Sequence, residues 1–214
     1  MNTLTWMDTL TTDPVAAMRD FLLGWYPGPA DVTPAAVAVP RPLATLYAIA
    51  TDRPDVLGTQ NGVFLPEQLR TDPDEGLLVI AAENQGNFTW MIDPAEADPA
   101  VWLVRQGEAP LAEREPLSAF LLQFSLMEAL CAGPLHAYSW SGPATTDVTD
   151  GLREVPLAPW QWPGDPTRFY VAPDLVLCTS VQGDDDIAVL AGARTGKALQ
   201  PLARRTTEWD VFDA

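Results

Sequence analysis

"LLVIAAENQGNFTWMIDPAEADPAVWLV", residues 77–104, contains three apolar runs separated by polar turns. In the second run, residues 88–92, every other side chain is large and apolar, so one face of a strand there is strongly apolar. The connection at residues 84–86 is Asn-Gln-Gly, in which Gly86 is free to adopt a positive φ. The stretch therefore predicts an antiparallel hairpin extended by a third strand, with a turn that needs no catalytic purpose.

Three helices are predicted outside this stretch. The first has Asp13 as its N-cap and Pro14 at its first position. The second begins at Pro42 and stops near Pro54. The third, "PLSAFLLQFSLMEALCAG" at residues 116–133, is apolar nearly all round, and such a helix is expected to lie between other elements of the fold.

Further strand signals lie on both sides of the third helix. Asn61-Gly62 is a short-range hairpin signal, and the runs "RFYVAPDLVLCTSV" and "IAVLAGA", at residues 168–181 and 187–193, predict another hairpin. Strands joined by local hairpins, without repeated βαβ units, favour an α+β fold. We expect a mostly antiparallel twisted sheet packed against helices, with an extra C-terminal β-hairpin segment.

Two proline-rich stretches divide the chain into three segments. Residues 1–33 form an N-terminal helix and connector, and residues 34–133 an α+β core. Residues 134–214 form a C-terminal extension that either continues the same domain or stands apart. Three tryptophans of its proline-rich part are equally suited to anchoring an interface and to pinning an irregular segment: Trp140, Trp160 and Trp162.

The charge balance is strongly acidic, with 29 acids, 12 bases and a net charge of −17. Ten acids and two arginines lie between residues 52 and 98. Such a field disfavours nucleic acid and anionic lipid and favours basic partners, unless the charge serves only solubility. No apolar run reaches the roughly 20 residues of a membrane span, and the first residues lack a secretory signal, so we expect a cytoplasmic protein.

The residue types and their spacing do not predict a metal site or a cofactor site. With His136 as the one histidine, no zinc quartet is predicted, and Cys131 and Cys178 are expected to be buried small hydrophobes. The acids at 184–186 suit a hairpin tip better than a calcium loop, and Gly196-Lys197 lacks the spacing of a phosphate loop. We expect no cofactor and no metal.

The sequence also gives little evidence for a group of catalytic residues. Ser139 and Ser141 lie near His136 in sequence, and Asp147 and Asp150 follow, but the members of a catalytic triad usually come from separate segments. Glu83 and Asp93 should lie roughly 20 Å apart along a hairpin, too far for paired-carboxylate chemistry. A hydrolase that uses other pairs of acids is the remaining enzymatic alternative.

Five stretches resemble the SUKH superfamily, which includes the yeast cell-wall-assembly regulator and many bacterial immunity proteins. They are "VPRPLATLYAIA", "NGVFLPEQL", "GLLVIAAENQGNFTWMID", "DPAVWLV" and "LSAFLLQFSLMEAL", and together they cover roughly residues 34–131. The long N-terminal helix with its connector, and about eighty C-terminal residues, depart from the pattern of that family.

The resemblance implies an α+β domain that binds another protein and catalyses no reaction. Bacterial members are typically cytoplasmic antidotes to toxins, many of them nucleases, so the implied partner is a basic toxin domain. A regulatory or scaffold subunit of the same fold is the alternative. The contact residues expected around the sheet are Asp72, Asp74, Glu75, Glu83, Asp93 and Asp98, joined by Trp90 only if its side chain is exposed to solvent.

Overall fold

The computed structural model describes residues 4–29, 31–33, 37–140, 146–183, 186–205 and 208–213. Helices and two antiparallel sheets occur together in this part of the chain, which confirms the predicted α+β class. The helices are α1 (Pro14–Trp25), α2 (Arg41–Ala50), α3 (Leu117–Cys131) and the short α4 (Gly196–Leu199). No helix among the described residues is both long and apolar enough to cross a bilayer.

The first sheet comes from the middle of the chain. Its strands are β1 (Gly62–Val63), β2 (Arg70–Thr71), β3 (Leu78–Ala82), β4 (Phe88–Ile92), β5 (Ala100–Arg105) and β6 (Leu111–Pro116). Their order is β1-β3-β4-β5-β6, and β2 pairs with β3 beside β1. The turn between β3 and β4 contains Gly86 at a φ of 74°, so the predicted hairpin and its positive-φ glycine are confirmed.

The second sheet is built from the C-terminal extension. Its strands are β7 (Leu135–Ser139), β8 (Arg153–Glu154), β9 (Thr167–Ala172), β10 (Leu175–Val181), β11 (Ile187–Ala193) and β12 (Val211–Asp213). Their order is β12-β7-β11-β10-β9-β8. The predicted C-terminal hairpin exists as β10 and β11, but it is the centre of a six-stranded sheet rather than an isolated addition.

Helix α3 lies between the two sheets, as its all-round apolar surface predicts. Every residue from Leu117 to Leu130 is buried. The helix packs against β5 and β6 on one side, β10 and β11 on another, and α1 and α2 as well. At its C-terminal end, Gly192 lies directly against the backbone of Leu130, where a Cβ would collide. The closeness of this helix and sheet therefore requires glycine at that position.

One hydrophobic cluster joins all three sequence segments. It includes Trp6 and Phe21 from the N-terminal segment, Trp90 from the middle, and Phe169 and Cys178 from the C-terminal extension. Burial of Cys178 confirms its expected role as a small hydrophobe. Cys131 was expected to be buried too, but it is exposed, because it is the last residue of α3 and follows the final buried position, Leu130.

The N-terminal helix begins as predicted. The Asp13 carboxylate accepts a hydrogen bond of 3.1 Å from the backbone N–H of Ala16, and Pro14 occupies the first helical position. This cap fixes where α1 starts, and the helix then lies along α3.

The hairpin predicted at Asn61-Gly62 is wrong. A single turn of 3₁₀ helix, Pro54–Leu57, is followed by an irregular loop, and Gly62 begins β1, which pairs with β3 far along the chain. The reason is Glu128 on α3. Its carboxylate accepts hydrogen bonds from the backbone N–H groups of Thr59, Gln60 and Asn61.

The outer faces of the two sheets differ. A second hydrophobic cluster covers the outer face of the second sheet, where Leu199 of α4 and Leu202 of the following 3₁₀ turn pack on Leu177 and Ala191. On the first sheet, the outer face forms the floor of two surface concavities. The first sheet therefore presents its pleated surface to solvent.

Candidate functional site

A groove crosses the outer face of the first sheet and is here called the sheet groove. It consists of two concavities, of about 370 and 450 Å³, which share Glu75 as a lining residue. Met91 pairs with Trp102, and Thr89 with Val104, on β4 and β5. Because side chains alternate along a strand, these four residues point away from α3 and form the floor.

Acidic side chains surround this floor. The carboxylates lining the two concavities are those of Asp72, Asp74, Glu75, Asp93, Glu96 and Glu108. Among the residues that line the groove, one guanidinium, that of Arg105, opposes them. A concave surface lined by one sign of charge concentrates its field and attracts groups of the opposite sign. The groove is therefore suited to positively charged ligands.

Strand pairing explains why acids distant in sequence meet here. Thr71 pairs with Leu78, Leu78 with Ile92, and Ile92 with Val101. The turn between β2 and β3 and the turn between β4 and β5 consequently lie at the same end of the sheet. Each turn contributes acids to the rim.

Four of the seven contact residues predicted from the sequence line the groove: Asp72, Asp74, Glu75 and Asp93. Asp72 is half-buried, and one of its carboxylate oxygens accepts hydrogen bonds of 3.0 Å from the backbone N–H groups of Asp74 and Glu75. It thereby shapes the turn that presents its two neighbours. Asp74, Glu75 and Asp93 are exposed, and one carboxylate oxygen of Asp93 accepts a hydrogen bond of 2.9 Å from the backbone N–H of Ala95.

The structure places the other three predicted residues elsewhere. Glu83 is buried, and its carboxylate accepts hydrogen bonds from the N–H groups of Gln85 and Asn87, so it closes the β3–β4 turn. The carboxylate of Asp98 accepts from the N–H and the hydroxyl of Ser118, which holds the start of α3. Both acids serve local structure.

Trp90 does not meet the condition set for an interface anchor. Its side chain is 0% exposed and faces α3, where it contacts Phe120 and Phe124. The reason is the alternation of β4, which turns Trp90 inward and its neighbour Met91 outward. Core packing explains this tryptophan.

Sequence reasoning missed Trp102 as a groove residue, because a tryptophan in an apolar strand is usually part of a core. In "AVWLVR", Val101 and Leu103 are buried against the interior, and Trp102 between them points outward and is half-buried. The period of two was the signal that could have identified it. Glu96 and Glu108 were missed because they lie in turns, where a sequence does not fix the direction of a side chain.

The guanidinium of Arg105, which lines the second concavity, is held by contacts with an aromatic ring and a carboxylate. Its guanidinium carbon lies 5.4 Å from the centroid of the Phe88 ring, within the range of a cation–π contact. One of its nitrogens lies 3.6 Å from a carboxylate oxygen of Glu108. An aromatic face beside a carboxylate thus binds a guanidinium within the second concavity.

The tryptophans of the C-terminal proline-rich stretch have two different roles. Trp160 is buried and stacks on Trp90 with ring centroids 6.0 Å apart, and Trp162 contacts Trp160 at 5.5 Å. These two side chains pin the segment to the core. Trp140, at the end of β7, is 51% exposed and contacts Tyr138 at 5.7 Å, so it is free to contact a partner.

The same segment covers β6, the edge strand of the first sheet. The guanidinium of Arg114 forms two hydrogen bonds of 2.8 Å with the carboxylate of Asp165. The side-chain amide of Gln161 donates to the carbonyl of Ala112 at 2.8 Å. Covering an edge in this way removes unpaired backbone groups from contact with other chains.

The serine triad drawn from sequence does not assemble among the described residues. His136 lies 3.3 Å from Asp213, but Ser139 is buried and three positions away on β7, on the opposite face of the strand. Ser141 lies outside the described residues, as do Asp184 and Asp185 of the acidic tip. The described residues contain no group of three or more side chains arranged to hold a metal ion.

Two buried carboxyl groups have raised pKa values. Burial raises the pKa of Glu113, and hydrogen bonds from Trp90 and Gln161 oppose that shift. Burial also raises the pKa of Glu128, and the N–H donors of the 59–61 loop oppose it. Both carboxyls are engaged by these donors, and neither lines the sheet groove.

Glu113 leads to a pH-dependent prediction. Because burial raises its folded-state pKa above the usual value of 4.5, the folded chain holds this proton more strongly than the unfolded chain. The stability due to protonated Glu113 is therefore complete below pH 4.5 and is lost as the pH rises through the folded-state pKa. We expect the free energy of unfolding of the wild type, minus that of Glu113→Gln, to decrease from pH 4.5 towards neutrality.

The measurement is urea denaturation of both proteins at several pH values, so that all other titrations cancel in the difference. A difference that increases with pH would mean that the donors Trp90 and Gln161 outweigh burial, and would contradict the prediction.

Comparison of the chain with protein-family models, with curated proteins and with solved structures found no match. The resemblance to the SUKH superfamily therefore remains a prediction.

Proposed function

We propose that this chain is a non-catalytic, cytoplasmic protein-binding module of the immunity type, which binds and neutralises a basic toxin domain through the sheet groove. The observation that carries the proposal is the convergence of acids on one uncovered sheet face. Asp74, Glu75 and Asp93 are exposed and come from two separate turns, yet they line the same groove.

The floor of the groove supports a protein ligand. Trp102 and Val104, both half-buried, offer aromatic and apolar surface, which in protein interfaces contributes more to affinity than the charged rim does. The carboxylates around this floor are arranged to accelerate association with a basic surface and to set its orientation. An apolar centre inside a charged rim is the usual anatomy of a protein interface.

A second candidate function is that of a regulatory or scaffold subunit acting through stable assembly. The observation that favours it is the aromatic surface at the end of β7 in the second sheet, where exposed Trp140 adjoins half-buried Tyr138. Assembly through this surface should resist high salt, whereas binding in the sheet groove should weaken with salt.

The proposal is tested by reversing the charges of Asp74, Glu75 and Glu96 to lysine. Asp72 and Asp93 are left intact because their carboxylates accept hydrogen bonds from backbone N–H groups of their own turns. The tagged wild type is first used to capture its partner from the cells that produce it, and association is then measured by surface plasmon resonance. We expect the variant to associate about 10- to 100-fold more slowly at low salt, and with a weaker salt dependence.

A matched control reverses three exposed acids away from the groove, Asp20, Asp52 and Glu208. The control changes the net charge equally, so a loss confined to the groove variant assigns the effect to the groove. Equal on-rates for the groove variant and the wild type at low salt would rule out the proposal. The captured partner should also lose its toxic activity when bound.

A further inference from the structure

We propose that the concavity at Trp102 is a recognition pocket for an arginine side chain of the partner. This inference rests on the proposed function and specifies the chemistry of one anchor within the sheet groove. The pocket is the 370 Å³ concavity, with room for about a dozen water molecules.

The lining of the pocket matches a guanidinium group. Trp102 is half-buried and forms the aromatic wall, and the carboxylates of Glu75, Asp93 and Glu96 are all exposed at the rim. Leu77, Ala100 and Pro110 supply apolar surface for the aliphatic part of a long side chain. The residues lining this concavity include three acids and no base, so its charge is uncompensated from within the pocket.

The neighbouring concavity contains an internal precedent for this binding mode. There Arg105 places its guanidinium over Phe88 and beside Glu108. A second guanidinium, that of Arg70 on β2, lies 5.1 Å from the centroid of the Phe64 ring, at the other side of the same sheet. The Trp102 pocket offers the same pair of features, an aromatic ring and carboxylates, to a cation from outside.

Arginine fits this pocket better than lysine. A guanidinium is planar, stacks on aromatic rings and bonds a carboxylate through two nitrogens, and it is more weakly hydrated than an ammonium. Tryptophan is also the best aromatic partner for a cation. Selectivity for arginine over lysine that decreases in Trp102→Leu therefore separates this pocket from a merely acidic surface, whose selectivity would not depend on the tryptophan.

The test uses three fluorescein-labelled peptides that differ only in their basic residue: Gly-Arg-Gly-Arg-Gly, and its lysine and citrulline counterparts. Binding is measured by fluorescence anisotropy with the full-length protein. We expect the arginine peptide to bind severalfold more tightly than the lysine peptide, and the citrulline peptide not to bind. Trp102→Leu should weaken the arginine peptide about fivefold.

Trp140→Leu is the matched control, since it removes an exposed tryptophan from the other sheet and should leave binding unchanged. Glu96→Gln removes one rim charge without altering packing and should weaken binding even if Trp102→Leu proves unstable. Equal affinity for arginine and lysine peptides, or binding unaffected by both pocket variants, would overturn the inference.

The same variants separate this inference from the proposed function. If the captured partner binds Trp102→Leu and Glu96→Gln normally but not the triple lysine variant, the arginine pocket fails and the groove function stands. If the partner binds the triple variant normally, the groove function fails, whatever the peptides show.

Discussion

Replacing Trp90 with alanine is expected to lower the free energy of unfolding by about 4 kcal/mol, in the range found for large aromatic residues truncated in cores. The ring lies at the centre of an aromatic cluster, with centroids 5.7 Å from Phe120, 5.8 Å from Phe124 and 6.0 Å from Trp160. Its indole N–H also donates a 2.9 Å hydrogen bond to the buried carboxylate of Glu113. Truncation would leave a cavity and a poorly satisfied acid together.

Urea denaturation followed by circular dichroism measures this loss. Trp140→Ala is the control, because that side chain is half-exposed and should contribute less than about 1 kcal/mol. Similar losses for the two variants would show that Trp90 does not hold the sheet, the helix and the C-terminal segment together.

Replacing Glu128 with alanine should destabilise the protein by about 3–5 kcal/mol, because each of the two buried donors of Asn61 left without an acceptor costs roughly 1–3 kcal/mol. The carboxylate accepts hydrogen bonds of 2.7 Å from the N–H groups of Thr59 and Gln60. It accepts two more, of 3.0 Å, from the N–H and the side-chain amide of Asn61. Four donors lose their acceptor at once, and the loop between α2 and β1 loses its attachment to α3.

Glu128→Gln sharpens this experiment, since it preserves volume and one acceptor oxygen but turns an NH₂ group towards N–H donors. We expect a loss between that of the alanine variant and zero, with Glu108→Gln on the surface as a near-neutral control. Amide hydrogen exchange should show faster exchange at residues 59–61 in both Glu128 variants. Unchanged protection there would contradict the role assigned to the carboxylate.

Local signals in the sequence were sufficient for the elements that depend on neighbouring residues. The Asp13 cap, the apolar surface of α3 and the positive-φ glycine at position 86 each act within a few residues, and each was predicted correctly. The antiparallel, α+β character followed from these elements, because hairpins and helices without βαβ units leave few other arrangements.

The predictions for the Asn61-Gly62 hairpin and for two of the acids failed because contacts with residues outside the local pattern determine the structure there. The loop at Asn61-Gly62 instead donates hydrogen bonds to Glu128, 67 residues further along the chain from Asn61, and a short-range signal does not include that contact. Glu83 and Asp98 are acids of ordinary appearance in the sequence, yet the structure uses both as acceptors for backbone N–H groups. Charge alone could not separate them from the exposed acids of the rim.

For a related reason, the sequence predicted the acids at the rim of the groove but not the residues of its floor. The acids of the 72–75 turn and Asp93 were identifiable from charge and from their place beside strands. The floor depended on which face of the sheet α3 covers, and that follows only from the assembled fold. Once β4 and β5 are paired, alternation assigns Trp90 to the interior and Trp102 to the groove.

The position of α3 has a consequence for the synthesis of the protein. The helix is buried on all sides, but β10 and β11, which cover one of those sides, leave the ribosome long after it does. During that interval the nascent chain exposes the apolar side of α3 that β10 and β11 later cover. Such a surface binds chaperones or associates with other chains. Translation that stalls before β11 should therefore yield an insoluble product, even when the entire first sheet has been made.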